Sequence, residues 1–356
     1  MSLRCGLVGV PACGKTTIYN AITSSGTPMF DAAESHRATV AVPDPRVEAL
    51  VALYHPAKVV RASVEVVDIP GLSQGSTAEG GRGSRLLTHI KEADALIHVV
   101  RCFAAPEHAA SPLHDVETID LELMAADAQT VTRKGERLAK RVRIGDKDAA
   151  REAADCEIVL KGLDAGVPVR NQGLTDAHRA SIADGNLLSQ KPVLYVANIA
   201  SPRDADGPHV AALREHAAAE GSEVIVLCGR DEADISELAP NDRGPFLAEL
   251  GQKELSIDRL LHAAYRQLGL VDFFTAGERE VHVWTCRRGD TAPTAAGKIH
   301  SDMERGFIRM EVIAYEDLIA CGSEAAAAKA GRRRLEGRDY EIQDGDVVVV
   351  RFSPPR

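Results

Sequence analysis

Gly9-Val10-Pro11-Ala12-Cys13-Gly14-Lys15-Thr16 fits G-x-x-x-x-G-K-[ST], between an apolar run from Leu3 to Gly9 and a helical run from Thr17 to Ala21. Glycines in such a loop let backbone N–H groups turn inward around a phosphate. A lysine at the Lys15 position neutralises β and γ oxygens, a hydroxyl at Thr16 can ligate Mg²⁺, and the following helix adds the positive end of its dipole. A chance glycine-rich turn is the alternative, and it leaves the correct flanking strand and helix unexplained. Cys13 lies among inward-pointing N–H groups at a helix N-terminus, which makes it a candidate for a lowered thiol pKa; a small buried filler is the equal alternative.

Asp68-Ile69-Pro70-Gly71 closes a second apolar run, Ser63 to Asp68. After a phosphate loop, D-x-x-G holds Mg²⁺ through the aspartate and senses a γ-phosphate through the glycine N–H. These residues give Lys15, Asp68 and Gly71 as catalytic candidates, with Thr16 and Asp68 at the metal. The next residue is Leu72, where Ras-type GTPases carry the glutamine that orients water, so slow hydrolysis or a water-positioning group from elsewhere is expected. His108 and His114 follow the third apolar run, Ala95 to Cys102, and either could supply that group. His108 is the stronger candidate, against the plain reading of a solvated loop histidine. After the fourth run the chain reads Asn198-Ile199-Ala200-Ser201. A guanine-specific N-K-x-D ends in a carboxylate that accepts from two guanine N–H groups, and Ser201 cannot do so. Asn198 as a mere strand-end cap is the alternative.

The elements that must position these residues are short β-branched runs alternating with helices: Leu3 to Gly9, Ser63 to Asp68, Ala95 to Cys102, Pro192 to Asn198 and Glu223 to Cys228. That alternation predicts an α/β fold with a parallel sheet covered on both faces. Val116 to Leu188 reads as a charged helical hairpin broken at Ile144-Gly145-Asp146 and inserted into the sheet domain. After Leu270 alternating strands return (Val281 to Cys286, Phe307 to Val312, Val347 to Phe352), predicting a small α+β module. The expected domains are 1–115 with 189–270, 116–188, and 271–356.

Composition sets outer limits. The 356 residues are 45% hydrophobic and 26% charged, an ordinary globular balance that excludes disordered and fibrous classes. With 52 acidic against 42 basic residues the net charge is -10, so a nucleic-acid partner must meet a local patch. Arg133, Lys134, Arg137, Lys140, Arg141, Arg143 and Lys147 on the hairpin and Arg332-Arg333-Arg334 near the end are such patches, suited to rRNA phosphates, although solvated helix faces show similar runs. No DNA sequence readout is expected. No apolar run nears the roughly 18 to 20 residues of a membrane span, and no signal peptide precedes the first motif, so a cytoplasmic protein is expected. The seven cysteines lack C-x-x-C pairs and read as reduced core residues.

The chain resembles the YchF/Obg-like ATPases, a translation-factor-related branch of the P-loop GTPases. The resemblance runs through Cys5 to Gly9, Pro43 to Arg46, Val67 to Leu72, His98 to Phe103, Gly145 to Ala149 and Glu232 to Ile235. It is most specific at Phe274 to Gly277, Trp284-Thr285, Thr291 to Pro293, Ala296 to His300 and Gly306 to Arg309. It implies a P-loop G domain, an inserted helical hairpin and a C-terminal TGS module of β-grasp fold associated with RNA and ribosome contacts. It also implies a preference for ATP, a phosphate site at Ala12, Cys13, Gly14, Lys15, Thr16 and Thr17, a Mg²⁺ ligand at Thr16, and an adenine site at Asn198 and Ile199. The chain differs from the family pattern at Ala12-Cys13 and Thr16, at Ser201, and at Ala32, where a switch threonine is expected, so a divergent member is implied.

The expected function is thus a Mg²⁺-dependent NTPase that slowly hydrolyses ATP and meets the ribosome in a nucleotide-dependent way. A nucleotide-responsive binding module with little or no turnover is the rival, favoured by Leu72 and by Ala32 at the place of the switch threonine. A small-molecule kinase fits less well, because no arginine-rich lid is evident.

Overall fold

The structure, a computed structural model, describes residues 3–23, 36–71, 82–104, 110–238, 240–249, 252 and 254–353. The chain opens with β1 (Leu3–Val8), α1 (Lys15–Thr23), β2 (His36–Ala41), α2 (Pro45–Tyr54) and β3 (Lys58–Val60). Next come β4 (Ser63–Asp68), α3 (Arg82–Glu92) and β5 (Ala95–Arg101), then the helices α4 (Pro112–Val142), α5 (Lys147–Asp164) and α6 (Asp176–Ile182). β6 (Val193–Asn198), α7 (Pro208–Glu220), β7 (Val224–Leu227), α8 (Gly229–Glu237), α9 (Pro240–Glu249) and α10 (Ser256–Gln267) follow. The last part comprises β8 (Leu270–Thr275), β9 (Glu280–Arg287), α11 (Ala292–Ile299), α12 (Ser301–Arg305) and β10 (Phe307–Ala314). It ends with α13 (Tyr315–Cys321), α14 (Glu324–Lys329), β11 (Arg334–Glu336) and β12 (Asp346–Phe352). Two compact units result, residues 1–40 with 65–267, and 41–64 with 268–356.

In the first unit a sheet runs β2-β4-β1-β5-β6-β7, and β1, β5, β6 and β7 pair in parallel. Every residue of β5 and β6 is buried, the consequence of helices on both faces and the reason these strands read as unbroken apolar runs. Parallel strands deliver their carboxyl ends to one edge, where open α/β sheets bind ligands. The five strands read from sequence lie within one residue of the observed bounds. β2 carried no such signal, because as an edge strand it is nowhere fully buried.

The first half of α4 packs Val116, Ile119 and Leu123 against Leu96, Val100 and Tyr195 of the sheet. Its second half leaves the sheet and pairs with α5, Val131 and Leu138 meeting Cys156 and Val159. The turn is set by Gly145 at φ 87° and by Asp146, which caps α5 by accepting from the Ala149 N–H at 3.0 Å. Residues 116–188, expected as a domain of their own, fall inside the first unit. The apolar seam between α4 and the sheet holds them there, and buried polar contacts brace the stretch internally. Asp127 accepts from the Leu188 and Ser189 N–H groups at 2.8 Å each, and Arg170 Nη2 reaches Asp120 at 2.7 Å. Removing one partner of such a buried pair typically costs about 3–5 kcal/mol, because a charge is left unpaired. Lys134, counted above among the basic face, is instead buried and donates to Asp184 and the Ser181 carbonyl. Arg133, Arg137, Lys140, Arg141, Arg143 and Lys147 are exposed.

The second unit holds a sheet of order β11-β10-β12-β8-β9-β3. β8 and β9 are antiparallel, β12 returns parallel to β8, and β10 and β11 complete the antiparallel side. Residues 41–64 belong here and not to the 1–115 segment where the sequence reading put them. Arg46 of α2 explains the difference. It pairs with Asp44 and Asp344 at 2.9 Å each and lies 5.1 Å over the Phe274 ring, while β3 pairs in parallel with β9. All seven cysteines are unpaired, as expected, and among the described residues no helix is long and apolar enough to cross a membrane.

Asp272 lies in the same charged neighbourhood and accepts from Thr285 Oγ1 at 2.7 Å. Burial pushes its carboxyl up to about 6, with Asp344 and Asp44 adding to the rise and Thr285 and Arg46 opposing it. A carboxyl whose folded pKa exceeds its unfolded value of about 3.9 is stabilised by protonation, so the unit should gain stability as pH falls from about 6 to about 4. Asp272→Asn keeps the acceptor for Thr285 and should stabilise the protein by about 2 kcal/mol at pH 7 while flattening that pH segment. Denaturant titrations at pH 5 and 7 measure both effects, and a destabilised variant at pH 7 contradicts the assignment.

Candidate functional site

The loop from Gly9 to Thr16 follows β1 directly, and its conformation depends on missing side-chain atoms. Gly9 has φ 154°, and a Cβ there would stand 2.5 Å from the Val99 carbonyl oxygen of β5. Gly14 has φ 96°, and a Cβ there would stand 2.2 Å from Asn198 Nδ2. Ala12 also lies at positive φ, 59°, a conformation that costs about 1 kcal/mol for a residue with a Cβ. Lys15 is buried, and its ammonium donates to the Gly9 and Val10 carbonyls at 3.1 and 3.2 Å. It is thus held over the loop that the motif assigns to phosphate. Cys13 is fully buried, and burial raises its thiol pKa against the opposing pull of Lys15. The expectation of an acidic thiol is therefore corrected: desolvation outweighs the cation, and Cys13 is a neutral filler beneath Gly9.

Thr16 and Asp68 meet, Thr16 Oγ1 donating to Asp68 Oδ2 at 3.0 Å. Asp68 is 6% exposed, and its Oδ1 has no hydrogen-bond partner among the described residues. Burial raises its carboxyl pKa, while Thr16, Lys15 and His36 act against the rise. A hydroxyl beside a buried, half-used carboxylate fits a hard divalent cation such as Mg²⁺, which takes one or two protein oxygens and completes its shell with phosphate and water. Gly71 lies against the loop, a Cβ there falling 3.1 Å from Pro11 N and 3.3 Å from Lys15 Nζ. Its N–H is therefore on a backbone segment beside Lys15.

Asn198 ends β6 with its amide already engaged. Nδ2 donates to the Cys13 carbonyl at 2.9 Å, and Oδ1 accepts from the Gly229 N–H at 3.0 Å, tying the phosphate loop to the start of α8. Ile199, an adenine-site residue by the family resemblance, is 4% exposed and packs its side chain in the core with Cys102 and Leu213. Ser201 Oγ accepts from the Arg203 N–H and caps a short 3-10 turn. Thr17 lies half-buried in α1. His114 is exposed in the first turn of α4, while His108, Leu72 and Ala32 lie outside the described residues. Sequence reasoning missed His36, which acts on Asp68 from the start of β2, and Gly229. Neither stands in a motif; both are brought in by strand order.

Residues 4–132 match the family model described as a 50S ribosome-binding GTPase, and residues 270–353 match YchF-GTPase_C, described as a protein of unknown function. The chain is 42% identical to the Ribosome-binding ATPase YchF of Bacillus subtilis over 99% of its length and 100% of that protein. It is 40% identical to the protein of the same name from Escherichia coli O157:H7, with the same coverage. The chain belongs to the YchF family. The Schizosaccharomyces pombe YchF GTPase superposes with a TM-score of 0.85 at 30% identity, covering 98% of each chain. A GTP-binding protein from Pyrococcus horikoshii, at a TM-score of 0.62 and 19% identity, shares the fold.

In this YchF-family chain the phosphate loop and Asn198 form one packed object. Asn198→Ala should leave the Cys13 carbonyl and the Gly229 N–H unpaired in the interior and cost about 1–3 kcal/mol per group. Gly14→Ala must push Asn198 aside, and should lower both thermal stability and nucleotide affinity, the latter at least tenfold. Calorimetric unfolding and nucleotide titration read the two effects; a Gly14→Ala protein with wild-type affinity contradicts the packing described.

Proposed function

We propose that this chain is a Mg²⁺-dependent ATPase of slow intrinsic turnover that acts in the cytoplasm and associates with the ribosome in a nucleotide-dependent way. The observation that carries the chemistry is the Thr16–Asp68 pair with its unpartnered Asp68 Oδ1, set beside the buried Lys15 of the phosphate loop. Thr16 and Asp68 would hold Mg²⁺, which supplies charge neutralisation across the β and γ oxygens. Lys15 exchanges loop carbonyls for phosphate oxygens, and Gly71 presents its N–H to the γ-phosphate. The relatives named as ribosome-binding ATPases support the partner and the nucleotide.

Base selection follows from what the site lacks. Ser201 offers no carboxylate to guanine N1–H and the 2-amino group, and its hydroxyl is engaged in a cap. Asn198 keeps one amide N–H beyond its bond to Cys13, which serves a purine nitrogen without choosing guanine. The C-terminal residues 271–356 are read as a TGS module, and the exposed basic residues of the α4–α5 turn as a surface for rRNA phosphates. Binding with little or no hydrolysis is the second reading, favoured by Leu72 at the position of the water-orienting glutamine. Single-turnover measurements with labelled ATP separate the two.

Lys15→Ala should abolish Mg-ATP affinity while leaving the thermal unfolding midpoint near that of the wild type. In paired titrations GTP should show no advantage over ATP, and GTP binding tenfold tighter would overturn the base assignment. For the partner, Arg137→Glu/Lys140→Glu/Arg143→Glu should reduce co-sedimentation with ribosomes about tenfold and flatten its salt dependence, because about three phosphate contacts are lost. ATP titration should be unaffected by the triple change. Unaltered ribosome binding would remove the hairpin turn from the interface.

A further inference from the structure

Arg101 ends β5, Asn198 ends β6, and the two are register partners. The Cys102 N–H donates to the Asn198 carbonyl at 2.9 Å, locking the ends of the two strands together. Arg101 is thereby delivered to the sheet edge that carries the phosphate loop. Its side chain is 8% exposed, and its Nε, without a hydrogen-bond partner among the described residues, stands 3.9 Å from Oδ2 of the equally buried Asp115. Both groups are near enough to Cys13 to act on its thiol, Arg101 lowering and Asp115 raising its pKa.

A second buried pair on the same helix closes further, although Arg170 also stands 3.5 Å from Glu220 and keeps Nε and Nη1 without a partner among the described residues. Arg170 Nη2 and Asp120 close to 2.7 Å, the distance of a charge-assisted hydrogen bond. Arg101 and Asp115 stop more than an ångström short of that, although desolvation penalises a buried cation that is loosely paired. A guanidinium held only at 3.9 Å from its carboxylate, next to a loop shaped for a polyanion, is placed to divide itself between two anions. Asp115 lies in the first turn of α4, whose 31 residues span about 46 Å and end at the exposed basic turn.

We propose that Arg101 is a positioning residue of the nucleotide site, shared between bound nucleotide and Asp115, and that it thereby passes the state of the site to the start of α4. The proposal rests on the nucleotide-binding reading above. A bound polyanion draws Arg101 from Asp115, and its loss returns Arg101 to the helix. The ligand has leverage on α4 only through this difference between the two arrangements.

The test uses the full chain and three variants: Arg101→Met, Arg101→Lys and the charge-free Arg101→Met/Asp115→Leu. The double variant removes both charges together, so neither member of the pair is left as a buried unpaired charge. Mg-ATP affinity should fall at least tenfold in Arg101→Met and in the double variant, and recover to within about threefold in Arg101→Lys. Hydrogen exchange at amides 112–119 should differ between the ADP and non-hydrolysable ATP-analogue complexes of the wild type. In the double variant, measured at saturating nucleotide, that difference should vanish. A double variant with wild-type affinity and wild-type exchange differences identifies the pair as structural and overturns the proposal. If the wild type binds Mg-ATP and Lys15→Ala does not, that outcome removes the role of Arg101 alone. If the wild type itself fails to bind, the nucleotide-binding reading falls with it.

Discussion

The contact on which the candidate site depends is the one between Gly14 and Asn198. A side chain at position 14 would occupy the space of the Asn198 amide, and the amide in turn holds the Cys13 carbonyl and the Gly229 N–H. Three elements meet in it: the loop after β1, the end of β6 and the start of α8. Each buried polar group there has its partner within the protein, so the loop keeps its shape without help from a ligand. The cost is carried in backbone conformation, at positive φ in Gly9, Ala12 and Gly14. Two of those positions are glycines, where the conformation is nearly free.

That rigid frame lets the charges of the site stay underused. Lys15 is satisfied by carbonyls, which are weaker partners than phosphate, and Asp68 is held by a hydroxyl on one oxygen only. Burial makes both arrangements electrostatically expensive relative to water, and a magnesium–phosphate group would relieve both at once. The same economy extends to the first unit as a whole. Val116, Ile119 and Leu123 hold the first half of α4 against the sheet, and Asp127, Asp120 and Arg170 brace the helical stretch internally with short buried bonds, so that α4 runs from the sheet edge into solvent as one continuous element.

What could be read from the sequence was local. The phosphate loop, the strand ends that carry Asp68 and Asn198, and the helix break at Gly145 are written in neighbouring residues, and the parallel strands announce themselves as unbroken apolar runs. The misreadings arose where a partner is distant in sequence. Arg46 takes residues 41–64 into the second unit through Asp344, a partner 298 positions away. Lys134 left the basic face for Asp184, 50 positions on. Cys13 was judged by the N–H groups beside it, and its complete burial, which decides its ionisation, is not legible from those neighbours. Ile199, an adenine-site residue by the family resemblance, has its side chain in the core, which its place after a strand did not reveal.

The central claim is that the Gly9–Thr16 loop is a preformed phosphate site whose lysine and carboxylate await Mg-nucleotide. A crystal structure of the full chain with Mg²⁺ and a non-hydrolysable ATP analogue tests it most directly. The account predicts Lys15 Nζ moved from the Gly9 and Val10 carbonyls onto phosphate oxygens, a cation between Thr16 and Asp68, and the Asn198 bonds to Cys13 and Gly229 unchanged. A nucleotide seated elsewhere, or one bound over the loop with Lys15 still on its carbonyls and no cation at Asp68, would contradict it.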